Sequence, residues 1–177
     1  MFSRLFKTDH RKQIARRLYE SLVRAARTPE FYGPDGVEDS VDGRFDMIVL
    51  HAVLVMRRLR EGDEAGRDLA QLVFDVMFDD MDAALREMAT GDLSVGKKIK
   101  IMGEAFYGRA KAYETPLNDG DPAALAEAIE RNLFEESPLS ASVCERLAAY
   151  ALESARQLSD QPIDSLLSGE PPRFAAV

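Results

Sequence analysis

An all-α fold is what this 177-residue chain predicts, as a single-domain helical bundle of about six helices. Three observations point there. Apolar residues recur three and four positions apart over most of the chain, the spacing of one helix face. Helix-opening signals punctuate it, namely Asp63 and the pairs Asp121-Pro122 and Ser137-Pro138. No stretch sustains the apolar–polar alternation of a half-buried strand.

The first helix is expected from Asp9 to Arg27, with Ile14, Leu18, Leu22 and Ala25 on one face. A loop then runs from Thr28 to Val41, marked by Pro29, Gly33, Pro34 and Gly36. Its aromatic pair, Phe31 and Tyr32, either pins the loop to the core or serves as an interaction anchor. Helix two is expected to open at Asp42 as N-cap and to end before Gly62. It is apolar almost all round from Met47 to Met56, so it is central and buried or faces a partner. Asp63 caps helix three, which runs to Gly91. Helix four spans Ser94 to Glu114, helix five runs from Pro122 to Phe134, and helix six follows Ser137-Pro138 to Leu158. One short turn is expected around Ile163 to Leu167. The chain thus divides into a basic amphipathic arm (1–8), a helical domain (9–160) and a partly flexible tail (161–177).

A domain of this size buries roughly 70% of its unfolded surface and needs no covalent staple. The lone cysteine, Cys144, has apolar helical neighbours and reads as a small core residue. No segment reaches the roughly 18 uninterrupted apolar residues of a membrane span, and MFSRLFK does not resemble a secretory leader. A cytoplasmic protein is the expectation. Net charge is −8, but residues 1–27 carry +6 and the remainder −14. Such a body is a poor DNA binder, whereas the arm suits anionic lipid. Phe2, Arg4, Leu5, Phe6 and Lys7 are its candidate membrane contacts.

Asp80 is the sharpest anomaly. Asp75, Asp79, Asp82 and Arg86 share a polar arc of helix three, while Asp80 falls in the apolar arc between Leu69 and Val73. A carboxylate there needs a partner, and His51, Arg44 and Arg109 are the candidates. It is either a buried pin between helices or a carboxylate at the rim of a client groove. The string Asp79-Asp80-Met81-Asp82 invites comparison with the magnesium motif of helical isoprenoid synthases, but Asp80 turns away from its neighbours. His51, in an apolar helix, reads as a satisfied core histidine; neither it nor His10 has a metal-ligand spacing. No nucleophile elbow, phosphate loop or dinucleotide motif is present, so neither enzyme activity nor a cofactor is expected. Helix four is basic, with Lys97, Lys98, Lys100, Arg109 and Lys111 against Glu104. Phe106 and Tyr107 interleave with them, giving an amphipathic core helix or a docking surface for an acidic partner. Gly103 in its interior suggests close packing of another backbone. Methionines at core spacing read as core filler.

Three phrases carry a wider pattern: FYGPDGVEDSVDGRFDMIVLH (Phe31 to His51), FDVMFDDMDAALREM (Phe74 to Met88) and GDLSVGKKIKIMGEAFYGR (Gly91 to Arg109). In this order and spacing they resemble the ubiquinol–cytochrome c chaperone family, over about two thirds of the chain. The resemblance implies a non-catalytic chaperone that binds newly made cytochrome b and assists assembly of the bc1 complex. It implies a place peripheral to the inner membrane, and partners at the ribosome exit or a small assembly protein. Client or partner contacts are then expected at Phe31, Tyr32, Arg44, Phe45, Asp46, Asp79, Asp80, Asp82, Lys97, Lys98, Phe106, Tyr107 and Arg109. The alternatives are a helical enzyme or binding protein for an isoprenoid or quinone-like lipid, and a generic helical adaptor.

Overall fold

The computed structural model describes the backbone of residues 2–88, 92–132 and 140–177, and the side chains of 9–87, 95–132 and 140–177. These residues form seven helices: α1 (Phe2–Ala26), α2 (Val41–Arg60), α3 (Glu64–Met88), α4 (Asp92–Asp119), α5 (Pro122–Asn132), α6 (Ala141–Asp160) and α7 (Ile163–Leu167). A 3-10 turn at Pro29–Phe31 and one isolated bridge, Tyr32 to Val37, shape the first loop. The described residues contain no sheet, and the domain is all-α.

Helix α2 is the axis of the bundle. Every residue from Asp46 to Met56 is buried, because α1, α3, α4, α6 and α7 all pack against it. Fully buried Met47, Leu50, Leu54 and Met56 meet Leu18 and Leu22 of α1 and Met77 of α3 in one core. Each such side chain contributes about 1.5–3 kcal/mol by leaving water. Cys144 is a buried core residue, as expected.

Local chemistry sets the helix ends. The Asp63 carboxylate accepts from Ala65 N–H at 2.9 Å and Gly66 N–H at 3.2 Å, opening α3. Asp121 does the same for α5, at 3.0 Å to Ala123 and Ala124, with Pro122 at the first position. The expected cap of α2 is corrected. Ser40, not Asp42, is the N-cap, and its hydroxyl accepts from Gly43 N–H at 3.1 Å. Asp42 sits in the first turn, where its charge still favours the positive helix end. Helix α4 also exceeds its expected end at Glu114 and continues through Pro116 to Asp119. Pro116 and Leu117 are buried, so packing outweighs the hydrogen bond that proline removes. Helix α1 begins at Phe2, earlier than the apolar period that starts near Ile14. Helix α6 starts at Ala141 behind Ser140; the pair Ser137-Pro138 lies outside the described residues.

Long-range polar contacts fix directions. Arg11 meets Asp68 and the Ala65 carbonyl, and Tyr19 meets Asp80, so α1 and α3 run parallel. Phe74 lies 5.4 Å from Tyr107, and Phe78 is the neighbour of Gly103, so α3 and α4 run antiparallel. Arg58 donates to the Leu158 and Gln161 carbonyls at 2.8 and 2.9 Å, closing the end of α6. The last residues lie against α6. Gln161 accepts from Arg173 N–H and donates to the Pro171 carbonyl, and Ser154 accepts from Ala175 N–H.

Candidate functional site

Two buried polar arrangements hold α2 to the helices around it. His51 is fully buried at the middle of α2. Its Nδ1–H donates to the Met47 carbonyl at 2.7 Å, which leaves Nε2 to accept from the Tyr150 hydroxyl at 2.7 Å. The neighbouring Ser154 hydroxyl opposes the rise that burial causes in the Tyr150 pKa. Burial pushes the His51 pKa down to about 4, so the imidazole is neutral at physiological pH. Burial pushes Tyr150 up to about 12. Phe31 and Phe174 pack edge-on against the imidazole at 5.7 and 4.9 Å. His51 is thus the satisfied core histidine expected from sequence, and Phe31 pins its loop to this cluster. Tyr32 reinforces the loop through its hydroxyl, which donates to the Ala26 carbonyl at 2.6 Å.

The second arrangement is the ion pair of Asp46 and Arg109, 2.7 Å apart with side chains 4% and 14% exposed. Arg109 also donates to the Asn132 carbonyl at 2.8 Å and lies over the Phe45 ring at 5.8 Å. It therefore ties α2 and α4 to the end of α5. Arg109 Nη1 and the buried Tyr113 hydroxyl have no hydrogen-bond partner among the described residues. Burial is the main cause of a raised Tyr113 pKa, which the Arg109 charge opposes.

Asp80 has a different partner from those anticipated. The Tyr19 hydroxyl donates to its Oδ2 at 2.7 Å, while His51, Arg44 and Arg109 are engaged with Tyr150, Asp39 and Asp46. Asp80 is exposed, so it links α3 to α1 from the surface rather than from the core. The apolar arc of α3 is shared between α2 and α1, and Asp80 sits where the α1 contact meets solvent. Gly103 is likewise not under a second backbone. A Cβ there would meet only the Phe78 ring, at 3.8 Å.

The anticipated contact residues therefore separate into two sets. Phe31, Asp46, Phe106 and most of Arg109 build the interior, and Tyr32 and Phe45 are half-buried. Arg44, Asp79, Asp80, Lys97, Lys98 and Tyr107 are exposed, and Asp82 is half-exposed beside Arg86 at 2.6 Å. Phe2, Arg4, Leu5, Phe6 and Lys7 lie outside the residues whose side chains are described. Among the described residues no three His, Cys, Asp or Glu converge as metal ligands, and no helix is long and apolar enough to cross a membrane.

The surface opens in a cleft of about 390 Å³ between α2 and α4. Val53, Met56, Phe106 and Leu117 form an apolar floor, and Arg57, Arg60 and Lys111 stand at its edge with Glu61 and Glu114. This is a shape for apolar side chains presented by a charged or amphipathic segment. Sequence periodicity marks Val53, Met56 and Leu117 as core and gives no sign that their outer edges line a cleft.

Residues 35–174 match the family described as Ubiquinol-cytochrome C chaperone. The chain belongs to the ubiquinol-cytochrome c chaperone family. A crystal structure described as the Cbp3 homolog from Brucella abortus superposes with a TM-score of 0.84 at 34% identity, covering 99% of this chain and 97% of that one. Ubiquinol-cytochrome c reductase complex assembly factor 1 of mouse is 24% identical over 160 residues, 90% of this chain. The human protein matches to the same degree. The chain spans 54% of the mouse protein and 53% of the human one, about half their length. The Xenopus laevis protein is also 24% identical, with 80% of its length covered. The ubiquinol-cytochrome c chaperone family is one of assembly factors, generally non-catalytic. The three phrases that resembled this family meet in the fold, since Asp46 of the first pairs with Arg109 of the third. Phe74 and Phe78 of the second pack edge-on against Phe106 of the third, with ring centres 5.2 and 6.3 Å away.

Proposed function

We propose that this chain is an assembly chaperone for the ubiquinol–cytochrome c reductase complex that holds newly made cytochrome b. The match of residues 35–174 to the ubiquinol-cytochrome c chaperone family carries this reading. The α2–α4 cleft supports it physically. Its floor of Val53, Met56, Phe106 and Leu117 accepts apolar side chains that an unassembled membrane protein leaves uncovered. Met56 lends the floor an adaptable shape. The charged edge engages polar residues flanking such a segment. Work at the inner face of the membrane places the protein in the cytoplasm, peripheral to the bilayer.

The test combines gene deletion with crosslinking. Deletion should remove the cytochrome b signal from reduced-minus-oxidised membrane spectra while other cytochromes persist. A photo-crosslinking residue at Lys111 or Arg60 should capture nascent cytochrome b, and one at exposed Glu127 of α5 should not. Normal spectra with normal bc1 turnover in the deletion strain would refute the function. Equal capture from Glu127 would refute the cleft as the client site.

A further inference from the structure

We propose that the outer face of α3 and α4 is self-complementary and docks a second copy of this chain about a two-fold axis. Three observations meet on this face. Along α3, Asp75 and Asp79 are exposed, and Asp82 falls on the same arc beside Arg86, its partner at 2.6 Å, so the arc is net acidic. Along α4, Lys97, Lys100 and Lys111 are exposed with Glu104 on one arc. Between the stripes runs an aromatic seam, in which Phe74 lies 4.5 Å from Phe78 and 5.4 Å from Tyr107. Tyr107 is 56% exposed and Ile101 53% exposed, so this face of α4 leaves large apolar surface in water.

The two stripes lie side by side, yet their described residues do not pair with each other. Among the described residues no ion pair joins α3 to α4; Lys100 meets Glu104 of its own helix, at 3.7 Å. Phe78 is level with Gly103 and Phe74 with Tyr107, so Asp79 and Asp82 stand level with Lys97 and Lys100. A two-fold axis along the seam preserves level and exchanges sides. It lays the basic stripe of each copy on the acidic stripe of the other, with Tyr107 against its counterpart. Such an isologous contact closes as a dimer. Opposed stripes give register, and the aromatic seam supplies the anchor.

The size is sufficient. Helix α3 has 25 residues, and a two-helix face of that length covers roughly 700 Å² per copy, close to a standard interface. Gly108 lies on this exposed arc with open space where a Cβ would be, so a facing backbone can approach closely there. Tyr107 also lines the α2–α4 cleft, so dimerisation closes that side of it.

Sedimentation equilibrium of the whole chain tests this. The unaltered chain should pass from monomer to dimer at micromolar concentration, more weakly in high salt. A Lys97→Glu/Lys100→Glu variant should associate about 100-fold more weakly, because like charges then face each other. An Asp79→Lys/Asp82→Lys variant should do the same. An equimolar mixture of the two variants should recover association, since every stripe then meets its opposite. Tyr107→Ala should weaken the dimer about tenfold or more with both stripes intact. Thermal melts confirm that each variant is folded. A chain that stays monomeric at several hundred micromolar overturns the proposal, as does undiminished dimerisation of either charge variant alone. Failure of the folded variants to associate when mixed overturns it equally.

Discussion

Mild acid should remove a defined part of this protein's stability through one side chain, His51. The imidazole is fully buried and its pKa is pushed from 6.5 down to about 4 by desolvation. Both of its hydrogen bonds suit the neutral ring, because Nδ1–H donates to Met47 and Nε2 accepts from Tyr150. The folded value lies below the unfolded one, so the unfolded chain takes up the proton first as pH falls. The contribution is complete above the unfolded value and is lost as pH falls from 6.5 to about 4. That gap corresponds to about 3 kcal/mol in all, of which about 2 kcal/mol is gone by pH 5. Half-exposed Glu153, held down to about 2 by its hydrogen bonds to Arg156 and Gln157, loses its contribution in a lower window, as pH falls from 4.5 to about 2. Urea melts of the native chain and His51→Gln between pH 7 and pH 4.5 isolate the effect. The variant is less stable at pH 7, and its deficit should shrink by about 2 kcal/mol at pH 5. Parallel pH profiles for the two proteins would refute a buried neutral His51.

Other outcomes follow from the same contacts. Arg109→Met should lower stability by about 3–5 kcal/mol in a denaturant melt at pH 7, because it removes the cation that meets the buried Asp46 carboxylate at 2.7 Å. Gly108→Ala should raise stability by about 1 kcal/mol, since its Cβ meets nothing and alanine is the better helix former. Gly43→Ala should lower the melting temperature, because its Cβ would collide with the Glu38 carbonyl oxygen. Deleting residues 1–8, which carry Phe2, Arg4, Leu5, Phe6 and Lys7, should weaken binding to liposomes containing anionic lipid. Unchanged liposome binding refutes the arm as a membrane contact.

Helix number, order and several termini follow from local rules that operate within one turn of chain. Asp63 and Asp121-Pro122 open helices where cap chemistry requires, and the stretch Met47 to Met56, apolar but for His51, forms the axis of the bundle. His51 as a satisfied core residue was also evident, because an imidazole in such a helix must find partners. Where local signals compete, the outcome depends on packing. Ser40 displaces Asp42 as cap, and burial carries α4 through Pro116. Partners far apart in the chain were not evident. Tyr19 meets Asp80 across 61 positions, and Tyr150 meets His51 across 99. Periodicity tells which face of a helix is apolar and says nothing of which helix will cover it. The α2–α4 cleft and the adjacent stripes of α3 and α4 exist only because separate helices come together side by side, and hydrophobic spacing along a single helix carries no information about that convergence.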